Sequence, residues 1–181
     1  MVGFIFVPGT PRALDPETAT WIREIVGVET VGVFRDAPRR WICEVVAQLK
    51  LSRVQLHGRE PDDWVTKLGV PVIRRVPVRD ESVDRARVER ILGLGALPLV
   101  DPGGGDGVPC DWRGIGATLE GLEFGLAGGL RPSNVAQAIV EARPSFVDVS
   151  SGVEAGPRTK SSERIGRFIR LAREAAAGVQ C

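Results

Sequence analysis

Ala127-Gly128-Gly129-Leu130-Arg131-Pro132-Ser133-Asn134-Val135 and Val147-Asp148-Val149-Ser150-Ser151-Gly152-Val153-Glu154 decide how this 181-residue chain folds. Each begins as an apolar strand and finishes in small residues whose backbone amides lie open. Bare N–H groups at strand-to-helix turns attract an oxyanion, so two such turns in succession make a cradle for a phosphate. In a (β/α)8 barrel the loops after the last two strands are the usual phosphate site. The expected partner is therefore a small phosphorylated metabolite.

Upstream of these turns, short β-branched runs alternate with amphipathic stretches. Strands are expected at 2–7, 30–34, 53–57, 70–76, 96–101, 122–127 and 146–150. Asp15-Pro16-Glu17 supplies an N-cap, a proline at the first helical position and an early acid. After Pro38, the residues Ile42, Val45, Val46 and Leu49 share one helical face. Pro132 is expected to open a helix with Val135, Ala138, Ile139 and Ala142 on its stripe. The last helix is expected from Ser161 or Ser162, burying Ile165, Phe168, Ile169 and Ala172. Strict alternation of strand and helix means a parallel sheet with crossovers. Seven βα units could form an open doubly wound sheet. The phosphate turns and regular spacing favour an α/β fold of the TIM (β/α)8-barrel type with one unit missing. No linker interrupts the pattern, so residues 1–181 read as a single barrel domain, incomplete at its N-terminus.

Composition narrows the function classes. Hydrophobic residues make up 43% of the chain and charged residues 26%, ordinary for a soluble protein with a full core. With 24 basic and 23 acidic residues the net charge is +1, which points to neither nucleic acid nor an anionic membrane. The apolar run 2–7 is too short to span a bilayer and lacks the flanks of a signal peptide, so a cytoplasmic location is expected. Cys43, Cys110 and Cys181 show no CxxC spacing, and His57 is the single histidine. Those are too few soft ligands for the common zinc sites, and the thiols read as reduced. No metal or organic cofactor is expected.

In a barrel, residues at the C-terminal ends of strands face the active site. These ends offer Arg12, Arg35, Asp36, His57, Arg74 or Arg75, Asp101 and Asp148. Arg74 and Arg75 are adjacent and must point to opposite faces, so one looks inward. Asp101 ends the apolar strand Leu97-Pro98-Leu99-Val100-Asp101 and meets Pro102 and three glycines, a loop that could close over a ligand. Its placement suits a general acid, although Asp before Pro-Gly is also common turn chemistry. His57 closes Val54-Gln55-Leu56-His57-Gly58 and reads equally as a structural or a functional residue. Arg12, in a loop stiffened by Pro8 and Pro11, could clamp a carboxylate through its planar fork. Cys43 lies one position off the apolar stripe of its helix and reads as a packing thiol. Cys110 reads as a loop residue and Cys181 as a terminal one.

Taken together, 3–12, Val31-Gly32-Val33-Phe34, 54–58, Gly104-Gly105-Asp106-Gly107 with Asp111-Trp112, 126–130 and 148–154 resemble the motifs of phosphoribosylanthranilate isomerase, in order and over essentially the whole chain. The resemblance implies an Amadori rearrangement of N-(5-phosphoribosyl)anthranilate in tryptophan biosynthesis, without a cofactor. It assigns Asp101 as the acid on the ring oxygen and Arg12 to the anthranilate carboxylate. The 5-phosphate falls to the amides around Gly128, Gly129, Ser150, Ser151 and Gly152, with His57 and Asp148 as further binding residues. The family's first strand ends in a Lys-Ile-Cys-Gly motif whose cysteine is the general base. This sequence begins at the family's second strand, and none of its three cysteines stands at that place. Loss of a general base costs about 10²–10⁴ in rate. The alternative is therefore a non-catalytic phosphosugar-binding remnant barrel. A relative of indole-glycerol-phosphate synthase fits less well, because that enzyme's lysine-rich strand ends are missing. A homodimer is compatible with all of these readings.

Overall fold

The computed structural model describes residues 1–25, 27–79, 82–102 and 111–179. The loop glycines Gly104, Gly105 and Gly107 lie outside the described residues, as do Cys110 and Cys181. Seven parallel strands follow chain order in the sheet, β1 to β7. They are β1 (Val2–Ile5), β2 (Thr30–Phe34), β3 (Arg53–Leu56), β4 (Val72–Pro77), β5 (Leu97–Asp101), β6 (Gly125–Leu126) and β7 (Phe146–Val147). The helices are α1 (Pro16–Ile25), α2 (Arg39–Leu49), α3 (Arg85–Gly93), α4 (Trp112–Thr118), α5 (Val135–Ala142) and α6 (Ser162–Val179). The expected strand, crossover, strand rhythm is present. Helices α3 and α4, which the apolar periodicity did not mark, belong to the same rhythm.

The chain divides into two compact units. The first comprises residues 1–75 and 90–98. Within it, β1 pairs with β2, β2 with β3 and β3 with β4, all parallel. Strand β2 is buried along its length except Val33, as expected of a strand covered on both faces. Its core includes Phe4, Phe6, Phe34, Val54 and Leu56, closed by Ile42, Val45 and Leu49 of α2. Phe6 stacks on Phe34 with ring centroids 5.3 Å apart, and Trp41 meets both rings edge-on. Aromatic pairs in these geometries add to the area they bury. Helix α1 starts at the expected cap: Asp15 Oδ1 accepts from the Thr18 amide at 2.8 Å and Oδ2 from the Thr18 hydroxyl at 2.7 Å.

The second unit comprises residues 76–89 and 99–181. Strands β5, β6 and β7 pair in parallel over Leu99, Val100, Gly125, Leu126, Phe146 and Val147. Helix α5 packs against α4 and α6, and its buried residues are Val135, Ala138, Ile139 and Ala142. A short 3-10 turn, Ser151–Val153, leads into an antiparallel hairpin of β8 (Glu154–Gly156) and β9 (Thr159–Lys160).

Several boundaries differ from the sequence expectation. Strands β6 and β7 are two residues each, because the chain turns away at Ala127 and Asp148 to form the small-residue turns. Pro132 does not open α5. The chain first makes a turn from Arg131 to Asn134, with the Arg131 amide donating to Asn134 Oδ1 at 2.8 Å, and the helix begins at Val135. On α6, Phe168 is buried but Ile169 is 44% exposed. Only a narrow stripe of this helix is covered, where it meets α5 and the 3-10 turn.

Candidate active site

In the second unit, Asp101 terminates β5 and is half-buried. The turn after β6 begins with two consecutive left-handed glycines, Gly128 at φ 81° and Gly129 at φ 64°. That backbone favours glycine. A Cβ on Gly128 would also stand 2.7 Å from Pro102 Cδ and 2.9 Å from Asp101 Oδ1. The bare glycine thus lets the turn close onto the carboxyl group. Asn134 holds the other side of the turn, donating from Nδ2 to the Gly129 carbonyl at 3.1 Å. The turn after β7 comes against this one. A Cβ on Gly152 would overlap the Leu130 carbonyl oxygen and stand 2.8 Å from its carbon. Asp148, half-buried, follows directly on β7, its amide bonded to the Leu126 carbonyl at 2.9 Å.

The two small-residue turns that the sequence singled out are therefore neighbours in space. Among the described residues, the amides of Gly128, Gly129, Ser151 and Gly152 have no backbone acceptor. Backbone N–H groups without a backbone acceptor suit an oxyanion. Asp101 Oδ1 stands beside Gly128.

In the first unit, Arg12 sits half-buried in a loop that folds back on β1. The Leu14 amide bonds to the Ile5 carbonyl at 2.8 Å, and Thr10 closes onto the Val7 carbonyl through its hydroxyl at 2.8 Å. His57 follows β3, its amide bonded to the Phe34 carbonyl at 2.8 Å. Its Nε2 lies 2.6 Å from Nε2 of buried Gln55. An amide nitrogen only donates, so in this contact the ring Nε2 is the acceptor.

Arg74 is the inward member of the arginine pair, 2% exposed, and it does not present its charge to a ligand. Its Nη1 donates to Glu60 Oε2 at 3.0 Å and to the Gly58 carbonyl at 3.0 Å, while Nη2 donates to the Glu60 carbonyl at 2.7 Å. Glu60, 4% exposed, in turn accepts from the Asp36 amide at 2.6 Å and the Gly58 amide at 2.9 Å. The pair ties the turn after β2 to the turn that carries His57. Asp36 adopts φ 53° there and accepts from the Arg59 amide at 2.7 Å. The sequence reading missed Glu60. Its signal was indirect: an arginine pointing inward from a strand needs an acid, and His57-Gly58-Arg59-Glu60 supplies one.

Cys43 is part-buried on α2, consistent with packing. Among the described residues there is no group of three or more His, Cys, Asp or Glu side chains that could hold a metal ion. Among them, too, no helix is long and apolar enough to cross a membrane.

Residues 1–170 match the family model described as N-(5'phosphoribosyl)anthranilate (PRA) isomerase. The chain belongs to the PRA isomerase family. The N-(5'-phosphoribosyl)anthranilate isomerase of Myxococcus xanthus is 43% identical over 180 residues, spanning 95% of this chain and 85% of that protein. A solved structure of monomers of the dimeric isomerase from Thermotoga maritima superposes with a TM-score of 0.82 at 36% identity, covering 95% of this chain and 86% of that one. A PRA isomerase in complex with reduced 1-(o-carboxyphenylamino)-1-deoxyribulose 5-phosphate gives a TM-score of 0.81 at 36% identity, with 95% and 86% covered. The expected barrel-type α/β fold is thus the fold of the PRA isomerases, and the resemblance read from the sequence motifs is borne out.

Proposed function

We propose that this PRA isomerase family member converts N-(5'-phosphoribosyl)anthranilate to 1-(2-carboxyphenylamino)-1-deoxyribulose 5-phosphate, an intramolecular aldose–ketose isomerisation of tryptophan biosynthesis. One observation carries this reading to the residues: the Asp101 carboxyl group stands against Gly128, at the edge of the paired amide turns. An acid and an oxyanion cradle side by side suit a sugar phosphate whose ring must be opened.

The chemistry follows from that placement. Asp101 gives a proton to the ring oxygen as the bond from C1′ to that oxygen breaks, leaving an iminium at C1′. A base takes the C2′ proton, the electron pair moves to nitrogen, and the resulting enolamine becomes the ketone as C1′ is protonated and the C2′ hydroxyl gives up its proton. Electrons are redistributed within one molecule, so acid and base groups suffice. The amides of Gly128, Gly129, Ser150, Ser151 and Gly152 hold the phosphate. Arg12 takes the anthranilate carboxylate through its two-pronged guanidinium. His57 and Asp148 are the further substrate-binding residues. The complexed relative supports a phosphorylated ligand of this class. The Thermotoga relative, described as dimeric, supports a homodimer. The cytoplasm is the compartment we assign to this chemistry.

The test is turnover of phosphoribosylanthranilate by the purified chain, beside a version extended into the upstream reading frame. Activity in the extended version alone places the base upstream of Met1. Activity in the 181-residue chain places it within this sequence. No turnover by either version would overturn the reading.

A further inference from the structure

The hairpin after the second small-residue turn brings Lys160 back to that turn. Glu154 and Lys160 lie opposite each other in register across β8 and β9, with Arg158 at φ 65° in the connection. From there Lys160 Nζ donates to the Ser150 carbonyl at 2.6 Å, to Ser150 Oγ at 3.3 Å and to Glu154 Oε1 at 3.1 Å. The Glu154 side chain is 7% exposed and that of Lys160 42%. A half-exposed ammonium gains little from one surface pair and loses rotamer freedom when held. Here a buried carboxylate and two oxygens of a single residue converge on it.

The Ser150 carbonyl is the consequential partner. In a trans peptide the C=O and the following N–H point to opposite sides. Holding the Ser150 carbonyl toward the hairpin therefore turns the Ser151 N–H away from it. Ser150 has φ −122° and ψ −79°, outside the main basins, so local preference alone does not set this peptide plane. A charge-assisted hydrogen bond does.

The structure assigns Lys160 as a positioning residue of the phosphate cradle: its grip on the Ser150 carbonyl aims the Ser151 amide at a phosphate monoester, and Glu154 fixes the ammonium. This rests on the reading of the paired turns as a phosphate site. Lys160 acts through the backbone.

Inorganic phosphate titrated into the purified chain, followed by the amide resonances of Ser151 and Gly152, tests it. The variants are Lys160→Arg, Lys160→Met and the double change Lys160→Met with Glu154→Gln, which removes the buried carboxylate's charge together with the ammonium. The wild type should show saturable shifts at both amides. The double variant should melt like the wild type, show a displaced Ser151 resonance without phosphate, and bind phosphate about tenfold more weakly. Lys160→Arg should restore most of the binding. Wild-type affinity and an unmoved Ser151 resonance in the double variant would overturn the assignment while leaving the cradle intact. Absence of saturable shifts in the wild type would overturn the cradle and the assignment together.

Discussion

Gly152 lies so close to Leu130 that a side chain on it would collide with the Leu130 carbonyl group. This approach joins the turn after β6 to the turn after β7, so the proposed oxyanion cradle would draw on both. Gly152→Ala must push two backbones apart, a strain of about 1–3 kcal/mol. Phosphate affinity, or the KM for phosphoribosylanthranilate, should worsen by roughly ten- to a hundredfold. Gly129→Ala is the informative contrast. Gly129 has open space around its Cα and only its φ of 64° opposes a side chain, so its effect should be smaller. Equal effects would contradict the role of the contact.

Asp101→Asn removes the transferable proton and keeps the shape. In an active form of the enzyme, turnover should fall by about 10²–10⁴ while a product analogue still binds. Near-normal turnover would remove Asp101 from its role as the acid.

Arg74 and Glu60 form a buried pair whose other hydrogen bonds tie two loops. Arg74→Met leaves the Glu60 carboxylate and several carbonyls without their donor, which should cost about 3–5 kcal/mol in denaturant unfolding. Adding Glu60→Gln removes the stranded charge and should recover part of that loss. Arg74→Lys should not substitute fully, because one ammonium cannot reproduce the guanidinium's spread of donors. Failure of the double change to recover stability would show that the carbonyl contacts, rather than the charge, dominate.

The Asp15 cap has a defined pH signature. The Thr18 amide and then the Thr18 hydroxyl hold its carboxyl below the ordinary value of 3.8. A depressed carboxyl contributes stability above its unfolded value and loses it as pH falls through the lower, folded value. Helix α1 should therefore keep this cap down to below pH 3.8 and lose it in stronger acid. Asp15→Asn should remove that part of the acid sensitivity. A carboxyl carbon titration with a midpoint at or above 3.8 would contradict the cap.

Features carried by neighbours along the chain were legible in the sequence. Asp15-Pro16-Glu17 marks the start of α1 because capping joins residues within one turn. The spacing of Ile42, Val45 and Leu49 marks α2 because a helix has its own period. The glycine and serine turns were legible as turns because their chemistry lies in the backbone they leave bare, and the structure sets them side by side. Family motifs then attached roles to Arg12, Asp101 and the turn amides. Ile169 shows where such reasoning stops: periodicity puts it on the apolar stripe, but only the placement of α5 decides how much of that stripe is covered.

The sequence by itself determined the alternation of strands and helices, the two small-residue turns and the family. The tertiary structure alone decided that Arg74 is sealed against Glu60, that Gly152 abuts Leu130 and that Lys160 returns to Ser150. The physical reason is that periodicity, capping and turn chemistry act between residues a few positions apart. The pairing of buried charges and the aim of a peptide plane depend instead on which distant atoms share a desolvated space.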